Sequence, residues 1–305
     1  MARMGLSSFP RSPFGSFGGL GGTTSTPIRV LIALAPITIP VAYMVYLQRS
    51  LVRHTAASAL ICPPDSLSSG SSADGTSDNK EALPSDVRHH LELYVVARER
   101  VASAAVPVSS LRPEFISKKG NLSGLLDSYV GATMAAFSWT PQALLLARMG
   151  AAVADPEAYR RSFDADYLAA CRFRPGDRVC GVYVVRSRSR SKGRVVLDLA
   201  PPEGWTGPVV GGVLVVGFDI DVDRTGRGRR NEREREREGK GKGGGSGKDE
   251  GEGEIRFVNE TVMWREKEGG KATLLEGWVG RWFHTMMARW LVVKGVEAVT
   301  GGKNE

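Results

Sequence analysis

Of the four histidines in this chain, only His284 lies in a stretch that reads as folded core. His54 follows an uncharged run near the N-terminus, and His89 and His90 open a short helical stretch. Histidine is the side chain best matched to giving and taking a proton near neutral pH, so His284 is the first candidate for acid–base work. The carboxylate to set beside it is one that burial would perturb. In Phe257–Trp264 (FVNETVMW) the polar trio Asn259-Glu260-Thr261 sits between large apolar residues. Strand alternation puts Phe257, Asn259, Thr261 and Met263 on one face, and Val258, Glu260, Val262 and Trp264 on the other. Whichever face turns inward buries a polar group, which then needs a partner or a wet cavity. If the chain is an enzyme, Glu260 and His284 are its catalytic candidates, with Trp139, Tyr183, Asn259 and Trp264 lining the ligand pocket. The competing reading places the trio on a solvated strand edge.

Other chemistries find little support. Asp219, Asp221 and Asp223 begin like a calcium loop, but Arg224 stands where that loop needs glycine and Arg230 where it needs a bidentate glutamate. No G-x-S-x-G elbow, H-E-x-x-H pair or glycine-rich phosphate loop occurs. Cys62, Cys171 and Cys180 show no C-x-x-C spacing, so neither a metal nor a cofactor is expected. Cys171 and Cys180 are either a pair formed in an oxidising lumen or two small buried apolar residues. Asn121-Leu122-Ser123 and Asn259-Glu260-Thr261 match the glycosylation sequon.

The elements that would position these groups begin late in the chain. Residues 1–27 are rich in Gly, Ser, Phe and Pro and read as a disordered arm. Val30–Leu47 is eighteen residues without a charge, bounded by Arg29 and Arg49. It is expected to be a transmembrane anchor over residues 28–48, placing the protein in a membrane as a single-pass species of the endoplasmic reticulum or mitochondria. A mitochondrial presequence is the alternative. The chain's net charge of +8 fits this view, since Arg3, Arg11, Arg29, Arg49 and Arg53 precede the first carboxylate, Asp65. Residues 49–121 read as a linker with one short helix, capped by Ser85 or Asp86 and running from about 87 to 103.

The folded domain is expected over 122–301. Leu125, Leu126, Tyr129, Val130, Met134 and Phe137 recur at helical spacing, and Asp155-Pro156 starts a further helix to about 171. Strand-like runs follow at 179–185, 194–199, 209–222 and 255–264. Between the last two, residues 224–254 hold no apolar side chain besides glycine, and read as a disordered insertion in a hairpin. Its arginines alternate with glutamates and no aromatic interleaves, which argues against nucleic acid. A closing helix spans Leu274–Val299. Trp278, Trp282, Met286 and Trp290, with Val279, Phe283, Met287 and Leu291, form its apolar face; Arg281, Thr285 and Ala288 lie opposite, His284 lies at the border, and Arg289 is directed outward.

At FRPGDRVCGVYVV (173–185), VNETVMWRE (258–266) and LEGWVGRWFH (275–284) the chain resembles a group of filamentous-fungal proteins whose genes often lie beside natural-product biosynthetic genes. The resemblance implies an accessory role in secondary metabolism and carries no catalytic residues with it. The fold expected is α+β: helices, an antiparallel sheet of four or more strands, and a long closing helix, in a helix-grip or hot-dog-like cup. The function expected is binding or conversion of a small apolar metabolite at a membrane. A non-enzymatic membrane assembly or scaffold protein, of mitochondrial location, is the rival, and the sequence leaves the oligomeric state open.

Overall fold

A computed structural model describes residues 26–62, 83–116, 122–150, 153–205, 211–221, 253–269 and 271–301. Helix α1 (Thr26–His54) runs without a break into strand β1 (Thr55–Cys62). Residues 30–47 lie in this helix, yet among the described residues no helix is long and apolar enough to cross a membrane. The expected single-pass anchor and membrane localisation are therefore corrected. In the described side chains of α1 the apolar stretch Val41–Leu47 gives way at Gln48 to Arg49, Ser50, Arg53 and His54. Leu51 is buried and its carbonyl accepts from Thr55 Oγ1 at 2.7 Å, so these turns lead into the sheet.

The stretch expected as one helix from about 87 to 103 also divides differently. Only α2 (Ser85–His89) and one 3₁₀ turn (Leu91–Leu93) are helical; Tyr94–Ser103 is strand β2. Its alternation explains why: Ala97, Glu99, Val101 and Ser103 are buried on one face, with Arg98 and Arg100 on the other. Strand β1, expected as linker, pairs with β2 antiparallel over its whole length, from Thr55↔Ser103 to Cys62↔Val96.

Helix α3 (Leu122–Ser138) carries the expected core face: Leu125, Leu126, Tyr129, Val130, Met134 and Phe137 are all buried. Three short helices follow, each started by a side-chain cap. Thr140 Oγ1 accepts from Ala143 N to open α4 (Pro141–Met149), and Asp155 Oδ1 accepts from Ala158 N to open α5 (Pro156–Arg161). Asp164 restarts the chain as α6 (Ala165–Ala170), which is why the single helix expected to residue 171 is two. The run expected as one strand at 179–185 is likewise broken, into β4 (Arg178–Val179) and β5 (Tyr183–Ser189), by a turn at Cys180-Gly181, both at positive φ.

Strands β6 (Arg194–Leu199), β7 (Gly211–Asp221) and β8 (Glu254–Glu266) stand where the patterning puts them, and α7 (Trp278–Val299) closes the chain. Strand β3 (Val106–Pro107) pairs with the start of β8. The result is an α+β fold on an eight-stranded sheet ordered β1-β2-β8-β7-β6-β5-β4, antiparallel throughout. Helices α3 and α7 pack together on the face that carries Phe257 and Asn259, and α7 also contacts β2, β1 and β8. Their close approach needs Gly295, since a Cβ there would stand 2.4 Å from the Tyr129 ring and 2.6 Å from Thr133 Oγ1. The loop proposed as an insertion at 224–254 and the arm at 1–27 lie almost wholly outside the described residues.

Candidate functional site

The polar trio of β8 does bury a group on each face, but the two groups belong to different neighbourhoods. Asn259 is buried toward the helices, where its Oδ1 accepts from Tyr129 Oη at 3.0 Å. Burial pushes the Tyr129 hydroxyl far up from its ordinary value, so it remains a donor. The Asn259 sequon is therefore closed to glycosylation in the folded chain; Asn121 lies outside the described residues. Glu260 points through the other face, 3% exposed, and takes Arg98 Nε on Oε1 at 2.6 Å. Beside it Arg100 and Arg194 hold Asp219 at 2.9 and 2.6 Å. These pairs make a ladder of charges across β2, β8, β7 and β6. The first aspartate of the would-be calcium loop is thus already paired, Asp223 lies outside the described residues, and no metal-holding cluster occurs among the described residues.

Glu260 and His284 do not meet, because they stand on opposite faces of the sheet. The partner of His284 is Glu99, on β2. Glu99 is 2% exposed; His284 Nδ1 bonds its Oε2 and the Thr285 hydroxyl bonds its Oε1. A carboxylate on Nδ1 fixes the tautomer and leaves Nε2 as the basic nitrogen. Nε2 has no hydrogen-bond partner among the described residues. Arg289, expected to reach outward, is half-buried instead. Its Nη1 is enclosed without a hydrogen-bond partner, and desolvation lowers its pKa against the opposing pull of the Glu99 carboxylate. The helix face turned to the sheet is thus the stripe 284, 288, 291, 292, 295, not the tryptophan stripe; Ala288 and Val292 pack on Val101.

The other ligand-pocket candidates scatter. Trp139 is 77% exposed at the end of α3. Tyr183 packs edge-on against Phe137, ring centroids 5.8 Å apart, and burial raises its pKa. Trp264 lies on the Glu260 face beside Val213 and Val262, over Gly211, where a Cβ would collide with its indole. Cys171 and Cys180 are both buried and free, so the disulfide alternative falls. Burial pushes the Cys171 thiol up to about 11, and Cys180 higher still.

Space for a ligand opens elsewhere, at the far end of α7. A cleft of about 700 Å³ lies between the end of β2, the segment 104–111 and the last two turns of α7. Its floor is built by backbone pairing: Arg112 N donates to Val299 O, and Leu111 bridges Thr300. Val106, Pro107, Leu111, Val292, Val293 and Val296 supply apolar wall. Ser50, His54, Ser109, Ser110, Glu297 and Thr300 supply the polar rim. Ser110 and Thr300 already donate their hydroxyl protons to Pro107 O and Val296 O, so toward the cleft they offer lone pairs. Sequence reasoning missed both features. The chain's comparison with protein-family models, curated proteins and solved structures returned no match.

Proposed function

We propose that this domain binds a small molecule with an apolar body and a hydrogen-bond-donating head, seated in the cleft between residues 104–111 and the end of α7. The observation that carries this reading is the cleft itself. Its volume of about 700 Å³ and its apolar wall with a few convergent polar groups match the make-up of small-molecule sites. The acceptors at Ser110 and Thr300, together with Glu297, one oxygen of which is held by Lys294, favour a donor head such as a hydroxyl. The Glu99–His284 pair lies further along α7 and serves to fasten that helix to β2, shaping the cleft wall indirectly. The resemblance to proteins of natural-product gene neighbourhoods adds the expectation that the ligand is a secondary metabolite.

The test is a titration of the full chain with the neutral fluorophore Nile red, followed by displacement with 1-decanol and with decanoate. Binding should saturate, and 1-decanol should displace the dye at lower concentration than decanoate. Ala105→Trp, which fills the exposed mouth of the cleft without touching the core, should weaken dye binding by about tenfold or more, equivalent to ~1.4 kcal/mol. If Ala105→Trp binds like the parent while Trp278→Ser/Trp282→Ser does not, the dye sits on the exposed aromatic patch of α7 and the reading is wrong.

A further inference from the structure

The two edges of the sheet are built very differently. At one end β4 is two residues long, and the side chain of Arg178 donates to the carbonyls of Gly181 and Ala200. Short, charged and self-occupied, this edge is blunted in the way that protects sheets from stray pairing. At the other end β1 has eight residues, TAASALIC, with no charge, no proline and no bulge in its register with β2. Among the described residues its outer edge pairs with nothing. Leu60 and Ile61 on it are 59% and 41% exposed. A long, uncharged edge of this kind presents unpaired N–H and C=O groups as a template for another strand.

A second observation lies on the helix above it. Val296 of α7 and Ala57 of β1 both pack against the buried cluster Val101, Ala288 and Val292, and α7 contacts β1. Residues 278, 282, 285, 289 and 296 fall on one flank of α7, so this flank is the one on the β1 side. It carries Trp278, 76% exposed, and Trp282, 39% exposed.

We propose that β1 is a dimerisation edge: two copies of this chain pair their β1 strands antiparallel about a two-fold axis and join their sheets into one. Self-pairing suits this strand because every residue opposite another is uncharged, so no like charges face each other despite the chain's net +8. Alanine and serine at 56–59 allow close approach. A stable interface buries roughly 1,200–2,000 Å², more than a strand edge supplies, and the tryptophans flanking the edge extend it. An isologous contact of this type closes on itself and does not propagate into fibres.

Sedimentation velocity of the full chain at micromolar concentration, with circular dichroism to check folding, tests this. The parent should sediment as a dimer. In Ser58→Pro and Ala59→Pro the lost N–H points toward β2 in one and outward in the other, because adjacent residues of a strand alternate. The outward one should fold and sediment as a monomer. Should neither fold, Leu60→Lys/Ile61→Lys leaves every backbone bond in place and should also give a monomer. A parent that stays monomeric at every concentration overturns the proposal. A dimer that survives in the folded proline or lysine variant also overturns it.

Discussion

Glu99 and His284, 185 positions apart in the chain, meet beneath the closing helix and tie α7 to β2. Both carboxylate oxygens are engaged, so removing the carboxylate strands the buried His284 Nδ1, while the Thr285 hydroxyl keeps Arg281 O as its acceptor at 2.8 Å. Glu99→Ala should lower unfolding free energy by ~1–3 kcal/mol, the cost of one buried polar group left without a partner. A double-mutant cycle with His284→Ala, read by urea denaturation, should return a coupling of ~0.5–3 kcal/mol. Additive single losses would show that the two residues do not act together.

On the opposite face, Glu260 and Arg98 form an ion pair with side chains 4% and 17% exposed. Breaking such a pair from one side leaves an uncompensated charge, so Arg98→Met alone should cost ~3–5 kcal/mol. Arg98→Met/Glu260→Leu removes both charges and should recover most of that loss. If the double variant is as unstable as the single, the loss does not come from an uncompensated charge at this pair.

How much of this could be read from the sequence follows from the range of the interactions. Strands β6, β7 and β8 and the helices capped by Thr140, Asp155 and Asp164 carry their signals locally, in alternation and in cap residues. Strand β1 does not: TAASALIC lacks alternation, and only its pairing to β2 makes it a strand. In β2, the polar Arg98, Glu99 and Arg100 blur the period, and each finds its partner on an element 119 or more positions away. The cleft is assembled from three separated segments, so no local pattern could announce it. The tryptophans misled for a physical reason. Apolar residues ring the first turns of α7 on several sides, and the sequence cannot say which side the sheet occupies.

Helix α7 is anchored at its start by Glu276, which accepts from Arg265 of β8 in three bonds of 3.0, 3.1 and 2.8 Å and takes Thr273 N at 2.7 Å. The Arg265 guanidinium holds the Glu276 carboxyl below its ordinary range. A folded-state pKa that is depressed stabilises above the unfolded value and is lost as pH falls through the folded one. The parent should therefore exceed Glu276→Gln in melting temperature at neutral pH, with the gap closing in acid. A gap independent of pH would contradict the pairing.

The close approach of α3 and α7 at Gly295 is checked by Gly295→Ala. The added methyl meets the Tyr129 ring and Thr133, both rigidly placed in the core, so overpacking should cost ~1–3 kcal/mol despite alanine's better helix propensity. A stabilised variant would mean the two helices can move apart freely.

The ligand proposed for this domain sits between residues 104–111 and the end of α7. A photoreactive diazirine analogue of 1-decanol, irradiated on the full chain and mapped by peptide mass spectrometry, tests it most directly. Saturable adducts should fall within Ala104–Leu111 and Val292–Gly301 and should disappear with excess 1-decanol. Adducts confined to Trp278–Phe283 would place the alcohol outside the cleft, and adducts that excess 1-decanol does not compete away would show that it has no specific site there.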